Sequence, residues 1–387
     1  MPVNATAMLL KAEQTCTMPS FLHEAEAIIN AWTFHKLISV IAAVTTILTL
    51  IISSTAICRH LCHYTVPNEQ RQIVRILLTP LIFSILSFFS LCFYNAAAYL
   101  NPVAQLYEVF AVVAIFLLFL AFVCPDPVEY DSFFGSLERR SNRGSKAKKH
   151  SRGSLRWFYH IWIMVFQVLA TRLACSIASW SVSASMCPLD PNLKDAKLAI
   201  QVIESIFTVV CLMAIIRFYR RLSPQLKEHN SMSKLVMFKL VIFIQIVQGP
   251  LFSGLVGGGV LTPTKHISYQ DWSVGLPAFC TCCEMFLFSI VFLWPFTAKP
   301  YICSELEDAE KLDGRRHAGL GFFAALLHAI NIWDVVSGAL FLNKLVKMFS
   351  KDTCEEDNQQ QHEELLNLRT AYREEMPPWR SSTSAGD

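Results

Sequence analysis

The sequence predicts an all-α, polytopic membrane protein with seven transmembrane helices and a C-terminal cytoplasmic amphipathic helix. Three observations predict it. Charged residues make up 16% of the 387-residue chain, against ~25% in soluble domains, and mean hydropathy is +0.40. Seven stretches reach the ~20 mostly apolar residues that a spanning helix needs. Lys and Arg are concentrated on alternate connections between those stretches. Several stretches exceed ~20 residues almost without charge, which argues against buried helices of a large soluble protein.

Residues 1–36 read as an exoplasmic N-terminal tail rather than a cleaved leader. Glu13, Glu24 and Glu26 stand there, with no early basic region before an apolar core. The seven-helix domain is expected over 37–297, with spans at about 37–57, 73–98, 103–124, 157–180, 198–217, 235–256 and 273–296. Pro80, Pro250, Pro277 and Pro295 lie within or at the edges of spans, and each removes a backbone donor and can kink a helix. Residues 298–350 are expected to be cytoplasmic. Within them Gly319 to Phe349 is apolar again, interrupted by His328, Asn331, Asp334, Asn343, Lys344 and Lys347. The first three recur at three-residue spacing on one narrow helix face. An interfacial amphipathic helix is predicted, with an eighth span as the alternative. The polar stretch 351–387 reads as a disordered tail.

Orientation follows from the positive charges of the connections. The first, third and fifth connections carry 15 Lys and Arg, and the second, fourth and sixth carry 3. The N-terminus is therefore expected outside or lumenal, and the C-terminus in the cytoplasm of a plasma or endomembrane. The third connection, Pro125 to Arg156, is rich in Ser, Gly, Lys and Arg. It is either a surface for anionic headgroups or a solvated topology signal. Of the 13 Cys, most lie in predicted spans as small apolar residues. Cys16 and Cys187 are exoplasmic candidates for a disulfide. Cys58 and Cys62, just cytoplasmic of the first span, are either palmitoylation sites or free thiols. Asn4-Ala5-Thr6 is a glycosylation sequon on the expected outer side.

Ionisable groups inside a bilayer are costly, at ~2.5–3.5 kcal/mol on insertion scales, and tend to face a bundle interior. Arg75 and Lys239 lie near cytoplasmic span ends and are expected to snorkel. At ~1.5 Å per residue, Glu108 lies ~8 Å, Glu204 ~9 Å and Arg172 ~12 Å from the outer ends of their predicted spans. Gln248 lies at a similar depth, and Glu284 at ~16 Å. Asn95 adds a polar group near the outer end of the second span. Two readings follow: an interhelical network around Arg172 that pins the bundle, or the floor of an outward-facing solute cavity. The substrate-binding candidates are thus Asn95, Glu108, Arg172, Glu204, Gln248 and Glu284. Gln245 and Gln248 share one face, as do Gln201, Glu204, Ser205 and Thr208. Gln248-Gly249-Pro250 is a candidate kink beside a polar side chain, of the kind that opens a helix toward a cavity.

No phosphate-binding loop, nucleophile elbow or zinc-binding His-Glu-x-x-His helix is present. The Cys280-x-Cys282-Cys283 group falls inside the last span, where packing is the expectation rather than metal binding. No enzyme activity, cofactor, metal or nucleic-acid partner is expected.

Several short motifs resemble the organic solute transporter alpha family. They are Asn68-Glu69-Gln70-Arg71-Gln72-Ile73-Val74-Arg75 with Pro80, Tyr107-Glu108, Gln167 followed by Arg172, Lys239-x-x-Ile242-Phe243 followed by Gln248-Gly249, and Glu284-Met285-Phe286. Asn331-x-Trp333-Asp334-Val335-Val336 resembles the tail helix of fungal-type members. The resemblance covers about residues 35–340. It implies seven spans with the N-terminus outside. For the best-known branch it implies facilitated movement of bile-acid- and steroid-like anions, with a single-span partner subunit. The chain departs from that branch in lacking a Cys-rich cluster in the third connection and in placing Leu173 after Arg172.

The resulting expectation is a carrier for an amphipathic organic solute, a sterol-, bile-acid- or terpenoid-like anion, by facilitated or ion-coupled transport. Homo-oligomers or a single-span subunit are the expected protein partners. The alternative is a seven-span receptor-like or scaffold protein without transport activity.

Overall fold

The computed structural model describes residues 26–28, 32–125, 129–137, 150–186, 191–227, 230–302 and 321–340. Asn4, Cys16, Cys187, most of the basic third connection and the tail from 341 onward lie outside the described residues. The helices are α1 (Phe34–Cys62), α2 (Pro67–Cys92), α3 (Tyr94–Val123), α4 (Tyr130–Ser136), α5 (His150–Ser185), α6 (Pro191–Leu226), α7 (Ser231–Gly257), α8 (Leu276–Phe292) and α9 (Phe322–Ile330). A short π-helical turn, Asp271–Gly275, leads into α8. The chain is an all-α, polytopic membrane protein. Among the described residues, eight helical segments are long and apolar enough to cross a membrane, the eighth being Phe322–Leu340.

That eighth segment is not one continuous helix. α9 ends at Ile330, where Asn331 takes an extended conformation (φ −62°, ψ 110°), and helix resumes over 333–340. Nine helical residues extend ~14 Å at 1.5 Å per residue, about half of a hydrocarbon core.

Local chemistry explains the joints. Gln70 serves two helices at once. Its Oε1 accepts the Val66 N–H at 2.9 Å, while its Nε2 donates to the carbonyls of His60 (3.3 Å) and His63 (2.6 Å). The end of α1 and the start of α2 therefore have part of their terminal groups satisfied by one side chain. α2 and α3 meet at Phe93, a single non-helical residue (φ −130°, ψ 83°), not across the expected 99–102. Asn95 consequently lies in the first turn of α3, and is exposed. It does not close the second span as expected.

α2 and α3 form the centre of the bundle. Val109 and residues 111–121 of α3 are mostly buried. Phe116 packs edge-on against Trp162 and Phe166 of α5 and Phe218 of α6. The short α4 adds Phe134, stacked on Phe158 with centroids 3.8 Å apart. α1 and α6 turn their apolar stripes outward. Leu37, Val40, Ile41, Val44, Ile47, Leu48 and Ile51 are exposed, as are Leu198, Val202, Ile206, Val209 and Met213. Apolar surface at helical spacing on the outside of a bundle is what lipid contact requires. Lys239 is exposed, eight residues after the start of α7.

The π-turn is held by an unexpected polar knot. Asp271 is buried. Its Oδ1 accepts from Tyr94 Oη at 2.6 Å, and its Oδ2 from the Ser268 N–H and hydroxyl at 2.9 and 2.8 Å. Gly275 is required beneath it, because a Cβ there would lie 2.6 Å from the Tyr94 hydroxyl. Tyr94→Phe removes one donor from a buried carboxylate. It is expected to cost about 1–3 kcal/mol, read as a lowered thermal unfolding midpoint.

Candidate functional site

Arg172 organises the intramembrane polar groups. Its Nη1 lies 2.8 Å from Glu204 Oε2, and its Nη2 donates to Thr208 Oγ1 at 3.2 Å. Thr208 in turn donates to the Glu204 carbonyl, one turn back on α6. Glu108 is reached only at 3.9 Å, and its Oε1 is buried without a hydrogen-bond partner. All three ionisable side chains are 4–6% exposed. One cation therefore faces two buried carboxylates, and favours Glu204.

A cavity of about 50 Å³ opens at this cluster, lined by Phe83, Gln105, Glu108, Arg172, Gln201, Glu204, Ser205, Gln245 and Ile246. It has room for very few waters, and it is far below the ~300–1,000 Å³ of organic-ligand pockets. A steroid-sized molecule does not fit in it. The donors and acceptors come from α3, α5, α6 and α7, so relative movement of any of these alters the site.

The six predicted site residues divide into four groups. Glu108, Arg172 and Glu204 come together directly. Glu284 joins them through Gln245, whose Nε2 donates to Glu284 Oε2 at 3.3 Å. Gln248 is buried but turned away from the cavity: it donates to the Pro277 carbonyl at 3.2 Å and accepts from Thr281 at 3.4 Å. It thus stitches α7 to α8. Asn95 is exposed at the end of α3 and takes no part.

The depths also differ from the expected ones, because the helices run past the apolar stretches. Counted from the helix ends and the π-turn at 1.5 Å per residue, Glu108, Arg172, Glu204 and Glu284 lie ~20–21 Å in. Gln245 lies ~18 Å in and Gln248 ~14 Å. Counted from these ends, Glu284 falls at the same distance as the other three.

Gln105 and Gln245 are not among the ligands expected from sequence. Gln105 is three residues before Glu108, and Gln245 shares a face with Gln248. Helical spacing is the available signal for both. Gly249 has a use here: a Cβ at that position would come within 2.6 Å of Gln201 Nε2. Its absence lets α7 approach the cavity-lining amide of α6.

A second cluster lies at the opposite end of α2. Arg75 is 2% exposed and does not snorkel. Its Nη1 and Nη2 bind Asp334 Oδ2 and Oδ1, both at 2.8 Å. Its Nε donates to the Ala329 carbonyl and its Nη2 to that of Asn331. Snorkelling fails as an account because a neutralising partner and two carbonyls arrive from the far end of the chain. Glu69 accepts from Tyr301 Oη at 2.8 Å, and Tyr64 Oη meets His328 Nδ1 at 3.0 Å. Burial pushes the Tyr64 phenol up to about 12, so it keeps its proton at neutral pH. Cys58 and Cys62 are exposed, and neither forms a disulfide.

Residues 38–301 match the family model described as organic solute transporter Ostalpha. The chain belongs to that family. A transmembrane protein 184 homolog of Dictyostelium discoideum is similar, 23% identical over 278 residues that make up 70% of this chain and 55% of the relative. The chain thus spans about half the length of the curated relative it matches. No solved structure matches. Both Arg75 and the Arg172 layer fall inside the matched stretch, whereas Asp334 lies beyond it.

Proposed function

We propose that the protein is a seven-span carrier for an amphipathic organic anion, with its N-terminus outside and its C-terminus in the cytoplasm. Family membership supports the transporter reading. The break at Asn331 supports seven spans over eight, because α9 is too short to cross. The 15-to-3 distribution of Lys and Arg supports the orientation. The single guanidinium among the cavity-lining groups supports an anionic headgroup, and the sterol-, bile-acid- or terpenoid-like body follows from the family resemblance. An enzymatic role is not part of this reading.

One observation carries the mechanism: Arg172 is already paired with Glu204. In this conformation an anion enters only if Arg172 exchanges Glu204 for the solute headgroup as the helices part. That exchange leaves Glu204 and Glu108 without their cation. The charged groups around them are Arg172 on α5 and, behind neutral Gln245, Glu284 on α8. The surplus is acidic, which favours the ion-coupled form, in which a carboxylate crosses with a proton. Taurocholate counterflow in proteoliposomes is the test. Flux above that of protein-free vesicles is expected, rising severalfold as pH falls from 7.5 to 6, because the coupled ion of this reading is a proton. In Glu108→Gln protein the rise is expected to flatten. Folded protein that moves no amphipathic anion, yet captures a cytoplasmic partner tightly, would establish the receptor or scaffold reading instead.

A further inference from the structure

The Asp334 contacts have the form of an occupied anion site. Arg71, Gln72 and Arg75 project from the first turns of α2 toward one carboxylate. Gln72 Nε2 donates to Asp334 Oδ2 at 2.7 Å, and Arg71 Nη2 lies 3.3 Å from the same oxygen. Arg75 approaches both oxygens in a fork, the bidentate geometry that guanidinium offers to carboxylate, sulfonate and phosphate groups. Gln72 also accepts from Arg75 Nη1 at 2.9 Å, which fixes the fork. Two guanidiniums face one carboxylate, and Arg71 Nε is buried without a hydrogen-bond partner. The site therefore has more positive charge and more donor capacity than Asp334 uses.

The segment that supplies Asp334 is built for attachment and release. Its polar side chains His328 and Asp334 turn toward the protein, onto Tyr64 and α2, and the Asn331 carbonyl accepts from Arg75 while its exposed side chain accepts the Trp333 N–H. Its large apolar residues turn away: Phe323, Leu327, Ile330 and Trp333 are 59–78% exposed. An interfacial helix ordinarily shows its polar face to water; here that face is spent on α1 and α2, and the apolar face is left for lipid. Release of the polar face exchanges protein hydrogen bonds for water while the apolar face stays in the bilayer. Such a change is far cheaper than extracting a spanning helix.

We propose that Arg71, Gln72 and Arg75 form a second anion site at the cytoplasmic end of the bundle. Asp334 occupies it as a tethered ligand, and an incoming carboxylate, sulfonate or phosphate head displaces it and releases residues 322–335. The site is separate from the Arg172 layer and does not depend on the role proposed there.

Hydrogen exchange on the full-length chain tests this without a flux assay. In detergent, taurocholate is expected to raise exchange of peptides covering 322–335 roughly tenfold, while α3 peptides stay protected. A second arm places the protein in nanodiscs of phosphatidylcholine with or without phosphatidylserine. A response there but not to taurocholate assigns the competing head to lipid; a response to taurocholate assigns it to solute. Asp334→Asn is expected to raise exchange of the segment without any ligand and to abolish the response, and Asp334→Glu to restore protection. The Arg172→Ala variant is expected to keep the response, which separates this site from the intramembrane one. Unchanged exchange of 322–335 in wild-type protein with both anions would overturn the proposal, and needs no variant to be interpreted.

Discussion

Arg172→Ala protein is expected to lose both thermal stability and taurocholate flux, and the double variant Arg172→Gln with Glu204→Gln is expected to recover only the first. Removing the guanidinium leaves Glu204 and Glu108 buried together with no cation. Breaking one partner of a buried ion pair costs about 3–5 kcal/mol, whereas replacing both partners is often close to neutral. The double variant also keeps the net charge of the three-residue cluster, since one positive and one negative group leave together. Thermal unfolding and counterflow on the same preparations separate the two roles. Flux that returns with stability in the double variant would reduce Arg172 to a pin between α5 and α6.

Arg75→Leu is expected to detach the tail segment while leaving the bundle folded. The guanidinium supplies hydrogen bonds to Asp334, Gln72 and the carbonyls of Ala329 and Asn331. Its loss strands these acceptors and is expected to cost about 3 kcal/mol, at the low end for a buried pair, because Asp334 is 17% exposed and partly solvated. Arg75→Lys keeps the charge but cannot fork, so an intermediate loss is expected. Proteolytic nicking after residue 321, with α3 still protected from exchange, is the measurement. A protected tail in the Arg75→Leu variant would show that Tyr64 and His328 hold α9 by themselves.

Much of the candidate layer was legible in the sequence. Charge inside a bilayer is rare enough that Glu108, Arg172 and Glu204 stood out, and depth along separate helices placed them together. Gln248 passed the same depth test, and Asn95 was added as a polar group near a span's outer end; neither reaches the cavity. Depth says nothing about which way a side chain faces around the helix axis, and Gln248 faces α8. Asn95 was misplaced because the turn at Phe93 lacks Gly or Pro, so nothing marked the boundary. Gln245 shared a face with Gln248, but which of the two reached the cavity depended on the rotation of α7. Arg75 was misread for a different reason. Near a span end, an isolated Arg is expected to reach for water, and its partner lies 259 residues away.

The sequence by itself determined the all-α membrane architecture, the apolar stretches and the residues that carry charge within them. These depend on hydrophobicity and local spacing, which each segment contains. Tertiary structure alone decided that Arg172 binds Glu204 in preference to Glu108, that Glu284 enters the layer through Gln245, and that Asp334 closes on Arg75. Those outcomes depend on helix rotation and on contacts between distant segments. Burial makes them matter, because a charge removed from water must find its partner wherever the fold supplies one.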